Sequence, residues 1–553
     1  MSPPPRPPSR PRTAYDHGAT AAELARAAAH HRAGRLQDAE SAYVRFLAAH
    51  PDWAPAMHLY GVLLAQTGRA ARGAEEIAKA VAAQPANPAY LNDWGNALMA
   101  ADRWREAVAA YDRALASRGD FPGAQFNRAN ALLRAGDAAA ALVAYDAMIK
   151  ARPAAPVLVN RSLALAQLAR FDEAIDGLRQ AVALAPGDRE ALINLALSLK
   201  RIGRTTEAAE ALASAVAADP GFAEAYAVLG GIHHDAERPT EARAAFERAL
   251  AADARHAGAL AGLAAVAHDD GRFDESEAML QRVLAQRPMD SEALTNLGLA
   301  RQEGGNEAGA VEALTRALAA DPRNKRAIAH LAIALQQCGR REEAREIFDF
   351  DRLISVRDIE AVDGYESVAD FNAAVARYVL NDPSLVLDRP AIATTKGSQT
   401  LEILIGDSKE RRALYAMIER EARRYIDGVL KPSANPHADQ ATERWRLTGW
   451  AVVLHSGGHQ SPHIHPQGFA SGVYYVRVPE TVRMATAGDA GHIAFGKTQP
   501  WGAAADAQKD FLTRCEKPAE GRMVLFPSHF WHHTVPFESA EKRICVAFDV
   551  VPA

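Results

Sequence analysis

The chain has 553 residues, which is long enough for more than one domain. Its 63 Lys and Arg residues nearly balance 68 Asp and Glu, and the net charge of −5 predicts neither a nucleic-acid partner nor binding to an anionic membrane. The three cysteines show no metal or disulfide spacing, and no stretch reaches the roughly 18 apolar residues of a membrane span. These features predict a protein of a reducing compartment, the cytoplasm.

The first 19 residues are rich in proline and arginine. They contain no apolar stretch of the kind that a secretory signal peptide requires. We therefore predict that residues 1–19 form a disordered tail.

Residues 20–353 are repetitive. A small residue recurs every 34 positions, with one step of 33, and a turn residue, often glycine, follows seven positions after each. Prolines end most of the units, where a helix must stop. The small residues are Ala27, Gly61, Gly95, Ala129, Ser162, Ala196, Gly230, Ala264, Gly298 and Ala332.

This register resembles the tetratricopeptide repeat, a unit of two helices joined by a turn. The small residue lets the two helices approach closely, as do alanines such as Ala107 and Ala141 in the second helix. The resemblance implies ten repeats over residues 20–353 that stack into an all-α solenoid with a concave inner face.

Several repeats carry an asparagine two positions before the small residue, on the part of the first helix that faces the groove in this repeat. Side-chain amides both donate and accept hydrogen bonds, so a row of them can hold an extended peptide by its backbone. The row predicts a protein or peptide partner for the solenoid. The alternative is solvated surface, since the row is interrupted at Val228 and Gly262. The asparagines are Asn127, Asn160, Asn194 and Asn296.

Residues 354–553 have a different pattern. Helical periodicity covers residues 368–380 and 408–430, and a segment rich in Pro, Asn and Ala over residues 431–442 indicates a loop. Strand-like runs follow, among them Ser471–Val478 and Arg543–Phe548. We predict a second domain of strands and helices with its boundary near residue 354.

Within this domain, His463 and His465 are followed by His532 and then by Arg543. Residues i and i+2 of a strand face the same side, so His463 and His465 can converge on one metal ion while a second strand delivers His532. His533 competes for that role, but neighbours on a strand face opposite sides and the spacing to Arg543 favours His532. Arg543 can bind a carboxylate through two parallel hydrogen bonds. It lies in an apolar run of the sequence, where an unpaired guanidinium is costly.

This arrangement resembles the 2-oxoglutarate/Fe(II) dioxygenases, and in particular a 2OG-Fe(II) oxygenase group with the pattern H-x-H, S-G-V-Y-Y, F-P-S, H and R. The resemblance implies a double-stranded β-helix (jelly roll) braced by helices, and an oxidation that is a hydroxylation. It also implies that His463 and His532 bind iron and that Arg543 binds the 5-carboxylate of 2-oxoglutarate. The matching residues are His463, His465, Ser471–Tyr475, Phe526–Ser528, His532 and Arg543, with Ser471, Tyr474 and Tyr475 as possible pocket residues.

The third iron ligand stays open at this point. The wider superfamily has an aspartate or glutamate where this chain has His465. Either three histidines bind the metal, or His465 lies nearby and a carboxylate comes from elsewhere or is absent. Neutral imidazoles leave more positive charge on the iron than a carboxylate does, and that changes its redox tuning.

Two other interpretations compete with this one. The spacings from Gly457 to His463 and from Gly521 to His532 also resemble the two cupin motifs, which share the barrel and would indicate a different metal enzyme or a sugar-binding module. The glutamate that normally follows the first cupin histidines is missing, and Arg543 favours the oxygenase. The second alternative is a non-enzymatic adaptor with a degenerate barrel, in which the solenoid alone is functional.

Overall fold

The computed structural model describes residues 17–388, 393–438, 440–484, 488–498 and 510–553. Residues 1–16 of the predicted N-terminal tail lie outside these ranges. The chain divides into two compact units, residues 1–252 and residues 253–553. The domain boundary expected near residue 354 falls inside the second unit.

The first unit consists of paired helices, as the 34-residue period predicts. From the second pair onward, a helix of 13 residues is followed by one of 14. The helices are α1 (His17–Arg32), α2 (Leu36–Ala49), α3 (Ala54–Gln66), α4 (Ala70–Ala83), α5 (Pro88–Ala100), α6 (Trp104–Ser117), α7 (Pro122–Arg134), α8 (Ala138–Ala151), α9 (Ala155–Gln167), α10 (Phe171–Leu184), α11 (Arg189–Arg201), α12 (Thr205–Ala218), α13 (Ala223–Asp235) and α14 (Pro239–Ala252).

The recurring small residue lets the paired helices touch. A Cβ atom on Gly95 would lie 2.5 Å from Tyr111 Cε1, and one on Gly230 would lie 2.6 Å from Phe246 Cε1. Both rings are buried. The aromatic ring of the second helix therefore occupies the space that the small residue of the first helix leaves, and this packing explains the register in the sequence.

The turn inside each pair places one residue in the left-handed region. Gly68 has φ 80°, its amide donates to Ala65 O, and the next amide, Arg69 N, donates to Leu64 O. These two bonds cap the end of α3 in a Schellman motif. Glycine adopts this backbone without a Cβ penalty, which is why it recurs seven positions after the small residue.

The same pairing continues in the second unit. Its repeat helices are α15 (Ala257–Asp269), α16 (Phe273–Gln286), α17 (Ser291–Glu303), α18 (Glu307–Ala320), α19 (Lys325–Gln337) and α20 (Arg341–Ile347), and the short α21 (Phe350–Leu353) follows. The N-terminal part of the chain is thus an all-α solenoid of helix pairs.

The C-terminal region is rich in sheet. Seven strands form one sheet in the order β1-β8-β5-β10-β4-β3-β2, and three form a second in the order β7-β6-β9. All of these pairings are antiparallel. The strands are β1 (Ser355–Asp358), β2 (Val386–Leu387), β3 (Thr394–Gln399), β4 (Trp445–Gln460), β5 (Ala470–Arg477), β6 (Ile493–Phe495), β7 (Arg514–Glu516), β8 (Arg522–Pro527), β9 (His532–Thr534) and β10 (Arg543–Pro552).

Three α-helices lie between these strands in the sequence, and the first of them packs on the larger sheet. They are α22 (Val368–Leu380), α23 (Lys409–Tyr425) and the short α24 (Glu480–Arg483), and α23 continues as a π-helical turn over Ile426–Leu430. Phe371 of α22 packs on Tyr474 of β5, with ring centroids 6.1 Å apart. The Tyr474 hydroxyl donates to Asn372 Oδ1 at 2.7 Å. The two helices predicted from periodicity are present at these positions.

The last repeat shares its core with the sheet region. Phe348 and Phe350, which follow α20, pack on Phe530 with ring centroids 5.5 and 5.0 Å apart. His330 of α19 meets the Trp531 ring edge to face at 5.3 Å. These contacts lie immediately before His532, so the repeat supports the segment that carries a candidate metal ligand.

Among the described residues, no helix is both long and apolar enough to cross a membrane.

Candidate metal centre

Three histidines converge in the sheet region. His463 follows β4 and pairs with His532 of β9 through two backbone hydrogen bonds, of 3.0 and 3.1 Å. His465 is held by its amide, which donates to Ser528 O at 3.0 Å. One ring nitrogen of each histidine lies within 4.8 Å of the other two. The structure therefore brings together the three histidines that the sequence indicated, with His532 and not its neighbour His533 in the group.

The hydrogen bonds of the three rings set their tautomers. His463 Nδ1 lies 2.7 Å from Ser461 O, and His532 Nδ1 lies 2.9 Å from Phe530 O. His465 Nδ1 lies 2.7 Å from Asp549 Oδ1. A carbonyl or carboxylate oxygen only accepts, so each Nδ1 carries a hydrogen and Nε2 is the nitrogen that remains for a metal ion. This is how metal-binding histidines are held in proteins.

The environment also keeps two of these rings neutral. Burial, together with the nearby His465 ring, lowers the pKa of His463 to about 4. Burial holds the pKa of His532 well below its usual range, and the rings of His463 and His465 add to the effect. Neutral imidazole is the form that binds a metal. Protons therefore do not compete with a metal ion for these nitrogens at neutral pH.

Asp549 is a site residue that the sequence analysis did not identify. It lies on β10, is 8% exposed, and accepts hydrogen bonds from the His465 ring and from Ser471 Oγ, the latter at 2.6 Å. Side chains alternate along a strand, so Asp549 faces the same side as Arg543, six residues earlier. That alternation was the available signal in the sequence.

Arg543 lies in the same interior chamber as the three histidines. Its side chain is buried, with 2% of the residue exposed, and the guanidinium carbon lies 5.0 Å from the centre of the Tyr475 ring. In the described part of the chain, Arg543 Nε and Nη1 have no hydrogen-bond partner. Leaving guanidinium nitrogens buried without a partner is costly, and this makes Arg543 a candidate anion-binding residue.

The possible pocket residues on β5 divide between the two faces of the strand. Ser471 and Tyr475 line the chamber, and burial raises the pKa of Tyr475 to about 12. Tyr474, also named as a possible pocket residue, faces the other side and bonds to Asn372 of α22. Its ring packs between the sheet and the helix because neighbouring residues on a strand face opposite sides.

A cleft of about 260 Å³ leads to His463 and His465 from outside. The Trp450 ring stacks on His465, with centroids 5.5 Å apart and planes 16° apart. Gln460, on the cleft wall, donates to Thr394 Oγ1 at 3.4 Å. The sequence analysis missed these residues, because β3 and β4 come from either side of a long helical segment.

The predicted asparagine row lies along the first helices, but part of its hydrogen-bonding capacity is used within the array. Asn127 Nδ2 donates to Asn96 Oδ1 at 3.0 Å, and Asn160 Nδ2 donates to Asn130 Oδ1 at 2.9 Å. In the second unit, Asn296 Oδ1 accepts from Arg326 Nη2 at 3.1 Å. Asn194 is half-buried. The amides of Asn127 and Asn160 thus join neighbouring repeats.

Comparison with protein families agrees with both parts of the chain. Residues 448–549 match the family described as "Putative 2OG-Fe(II) oxygenase". Tetratricopeptide repeat families match residues 24–88, 92–156, 159–223, 193–257, 233–297 and 303–349. No curated relative matches the chain.

Solved structures that are similar to parts of the chain include MamA and two tetratricopeptide repeat proteins. MamA is 25% identical over 31% of this chain and 93% of its own, with a TM-score of 0.27. A tetratricopeptide repeat protein from Parabacteroides merdae is 17% identical over 41% of this chain and 90% of its own, with a TM-score of 0.34. A thermophilic repeat protein of Thermus thermophilus is 23% identical over 33% of this chain and 100% of its own, with a TM-score of 0.30.

Proposed function

We propose that this chain, which carries tetratricopeptide repeats in its N-terminal region and a domain of the 2OG-Fe(II) oxygenase family at residues 448–549, is a 2-oxoglutarate- and Fe(II)-dependent hydroxylase. The double-stranded β-helix of that family is part of the proposal. The observation that carries it is the joint presence, in one chamber, of three convergent histidines and a buried Arg543 with two nitrogens that have no partner among the described residues.

In this proposal each side chain has a defined task. His463, His465 and His532 would hold the iron through Nε2, the ring nitrogen left over by the hydrogen bonds at Nδ1. Arg543 holds a carboxylate of 2-oxoglutarate, because a planar guanidinium binds a carboxylate through two parallel bonds. When bound, the iron and 2-oxoglutarate supply the dioxygen chemistry that oxidises a C–H bond of the substrate.

The walls of the chamber would protect that chemistry from water. Val473, Ile493 and Phe526 line it between the histidines and Arg543. All three are buried. Apolar walls exclude water and strengthen the charged contact of Arg543 with a carboxylate.

Arg543 also distinguishes the rival functions. A cupin-type metal enzyme would use three histidines, but it would leave Arg543 Nε and Nη1 without a partner among the described residues. A sugar-binding module of the cupin type, or a degenerate barrel in an adaptor, would have no reason to orient three histidine rings by hydrogen bonds to Nδ1. The oxygenase proposal accounts for both the histidines and Arg543.

We further propose that the repeats bind a protein or peptide, which is the substrate or a partner, and that the chain works in the cytoplasm. Tetratricopeptide repeats generally mediate interactions with proteins and peptides. The interrupted amide row and a cleft of about 220 Å³ lined by His268, Asn296 and Arg326 in the second unit support a polar groove.

Anaerobic titration of the full chain with Fe(II) and then 2-oxoglutarate tests the cofactor assignment. The expected result is one Fe(II) per chain and a visible charge-transfer band that grows when 2-oxoglutarate is added. Fe(II) binding without any band on addition of 2-oxoglutarate would contradict the assignment of Arg543 and support a cupin-type metal site. Absence of stoichiometric iron would support the adaptor.

A further inference from the structure

Four residues from three parts of the sequence form a closed ring of hydrogen bonds behind His465. The His465 amide donates to Ser528 O at 3.0 Å, and the two hydroxyls of Ser528 and Ser471 lie 2.8 Å apart. Ser471 Oγ donates to Asp549 Oδ1 at 2.6 Å, and Asp549 accepts from the His465 ring. The ring therefore fixes both the backbone and the imidazole of His465.

The proton positions in this ring follow from the donors and acceptors. An ionised carboxylate only accepts, so the single hydroxyl proton of Ser471 goes to Asp549 and the His465 hydrogen sits on Nδ1. Ser528 then donates its own proton to Ser471. The three side-chain bonds of this ring all lead to Asp549, and His465 Nε2 is directed away from the carboxylate, toward the position where a metal ion would bind.

Burial makes the charge of Asp549 significant. Ser471 and Ser528 are 1% and 0% exposed, and Asp549 is 8% exposed. The groups that donate to Asp549 in the described structure are the Ser471 hydroxyl and the His465 ring. A buried carboxylate needs such hydrogen bonds, and a metal ion on the far side of the imidazole would add a positive charge close to it.

We infer that Asp549 is a positioning residue that supplies the negative charge of this metal centre through His465. The inference rests on the proposed function, because it concerns the same site. In the usual facial arrangement, two histidines and one carboxylate leave a divalent metal with one net positive charge. Three neutral histidines with one carboxylate directly behind them give the same total. His465 and Asp549 together thus replace the carboxylate ligand of the wider superfamily.

The motif residues Ser471 and Ser528 help to position Asp549. Ser471 begins the S-G-V-Y-Y run and Ser528 ends the F-P-S run. Ser471 bonds to Asp549 directly, and Ser528 acts on Asp549 through its bond to Ser471. In the other two histidines, Nδ1 bonds to a backbone carbonyl, of Ser461 or of Phe530. The carboxylate of Asp549 therefore acts on the metal site through His465.

Cobalt(II) is a suitable probe, because its binding and its visible spectrum are measured without turnover. Asp549→Asn keeps an acceptor near His465 but removes the charge, and should weaken Co(II) binding by about ten- to a hundredfold and shift its visible bands. Ser471→Ala keeps the charge and loses one orienting bond, with a smaller, severalfold effect expected. Asp363→Asn, at an exposed aspartate of the same region, is the matched control and should change nothing.

A double variant tests the charge argument itself. His465→Asp places a second carboxylate against Asp549, and two adjacent carboxylates repel each other. The single variant should therefore bind Co(II) poorly, and His465→Asp combined with Asp549→Asn should bind it more tightly than the single variant. Near-ultraviolet circular dichroism confirms the fold of each variant. Equal affinity of the single and double variants would overturn the charge compensation.

The failure of this inference and of the proposed function are distinguishable. If His463→Ala and His532→Ala abolish Co(II) binding while Asp549→Asn and Ser471→Ala bind like the parent, the metal site stands and the role of Asp549 is overturned. If His463→Ala and His532→Ala bind Co(II) like the parent, the metal site is elsewhere and the proposed function is overturned together with this inference.

Discussion

The repeats and the sheet region are stabilised by contacts of very different sequence separation. In the repeats, Tyr111 donates to Asn96, 15 residues earlier, and His58 meets Asp93, 35 residues later. In the sheet region, His465 meets Asp549, 84 residues later. Local contacts recur once in each repeat. The period of the sequence therefore reveals them. A site assembled by strand pairing leaves no such period.

The two regions also differ in how they treat buried polar groups. In the repeats, Asn130 Oδ1 accepts from both Asn160 and Tyr145, so neighbouring side chains satisfy each other. In the sheet region, Arg543 is buried with two nitrogens that have no partner in the described chain. Unpaired buried groups are rare in stable cores. The two nitrogens of Arg543 therefore support the proposal that the chamber binds an anion.

The largest expected effect comes from removing a metal ligand. His463→Ala or His532→Ala removes one Nε2 donor, and the iron content of the purified protein should collapse. Helical circular dichroism should persist, since each repeat contacts only its neighbours. His533→Ala is the matched control: His533 is equally buried, faces the other side of β9, and its loss should leave iron bound. Full iron in the His463 or His532 variant would refute the ligand assignment.

The next largest effect is expected from removing the last repeat, which packs against the sheet region. A fragment of residues 354–553 lacks Phe348, Phe350 and His330, which support the segment before His532. It should aggregate or bind Co(II) weakly, whereas a fragment of residues 253–553 keeps these contacts and should bind it like the full chain. Size-exclusion chromatography and Co(II) titration measure both. Parent-like binding by the shorter fragment would show that the last repeat is dispensable.

Arg543→Lys should act on 2-oxoglutarate and not on iron. Lysine keeps the charge but loses the planar fork. Hydrogen bonds to charged groups contribute about 1.5–3 kcal/mol, so affinity for 2-oxoglutarate should fall roughly ten- to a hundredfold. Anaerobic titration followed by the visible band measures the change. Parent-like affinity would exclude Arg543 as the anchor.

A packing change in the repeats should stay local. Gly95→Ala forces a methyl group into the space of the Tyr111 ring and should destabilise the solenoid by about 1–3 kcal/mol. Gly119→Ala, where an added Cβ meets nothing within 4 Å, is the control. Denaturation followed by helical circular dichroism compares the two, and iron content should be unchanged in both. Loss of iron in Gly95→Ala would show coupling that the contacts do not predict.

The smallest expected effect on stability comes from the amide row. Changing Asn127, Asn160 and Asn194 together to Ala removes the inter-repeat bonds of the first two, each worth about 1 kcal/mol or less at partly exposed positions. Asn194→Ala alone leaves both bonds intact and is the control. Capture of partner proteins should fall in the triple variant, while slow uncoupled use of 2-oxoglutarate continues. Unchanged capture by the folded triple variant would mean that the row does not bind the partner.

The sequence by itself determined the repeats and the chemistry of the candidate site. Thirty-four-residue periodicity follows from packing a ring such as Tyr111 against a residue such as Gly95, and that pairing is local. The histidines and Arg543 were visible because their residue types and spacing are those of one oxygenase family. The helix over residues 368–380 was visible because its apolar face follows the period of a helix.

Only the tertiary structure decided how the site is completed. Two neighbouring tyrosines on β5 were candidates for the pocket, and the placement of α22 on one face of the strand decided that Tyr474 is covered and Tyr475 lines the chamber. The antiparallel register of β5 with β10 places Ser471 opposite Asp549, and this brings the carboxylate to His465. Register depends on pairings between segments about 80 residues apart, and a single sequence does not record which residues meet across a sheet.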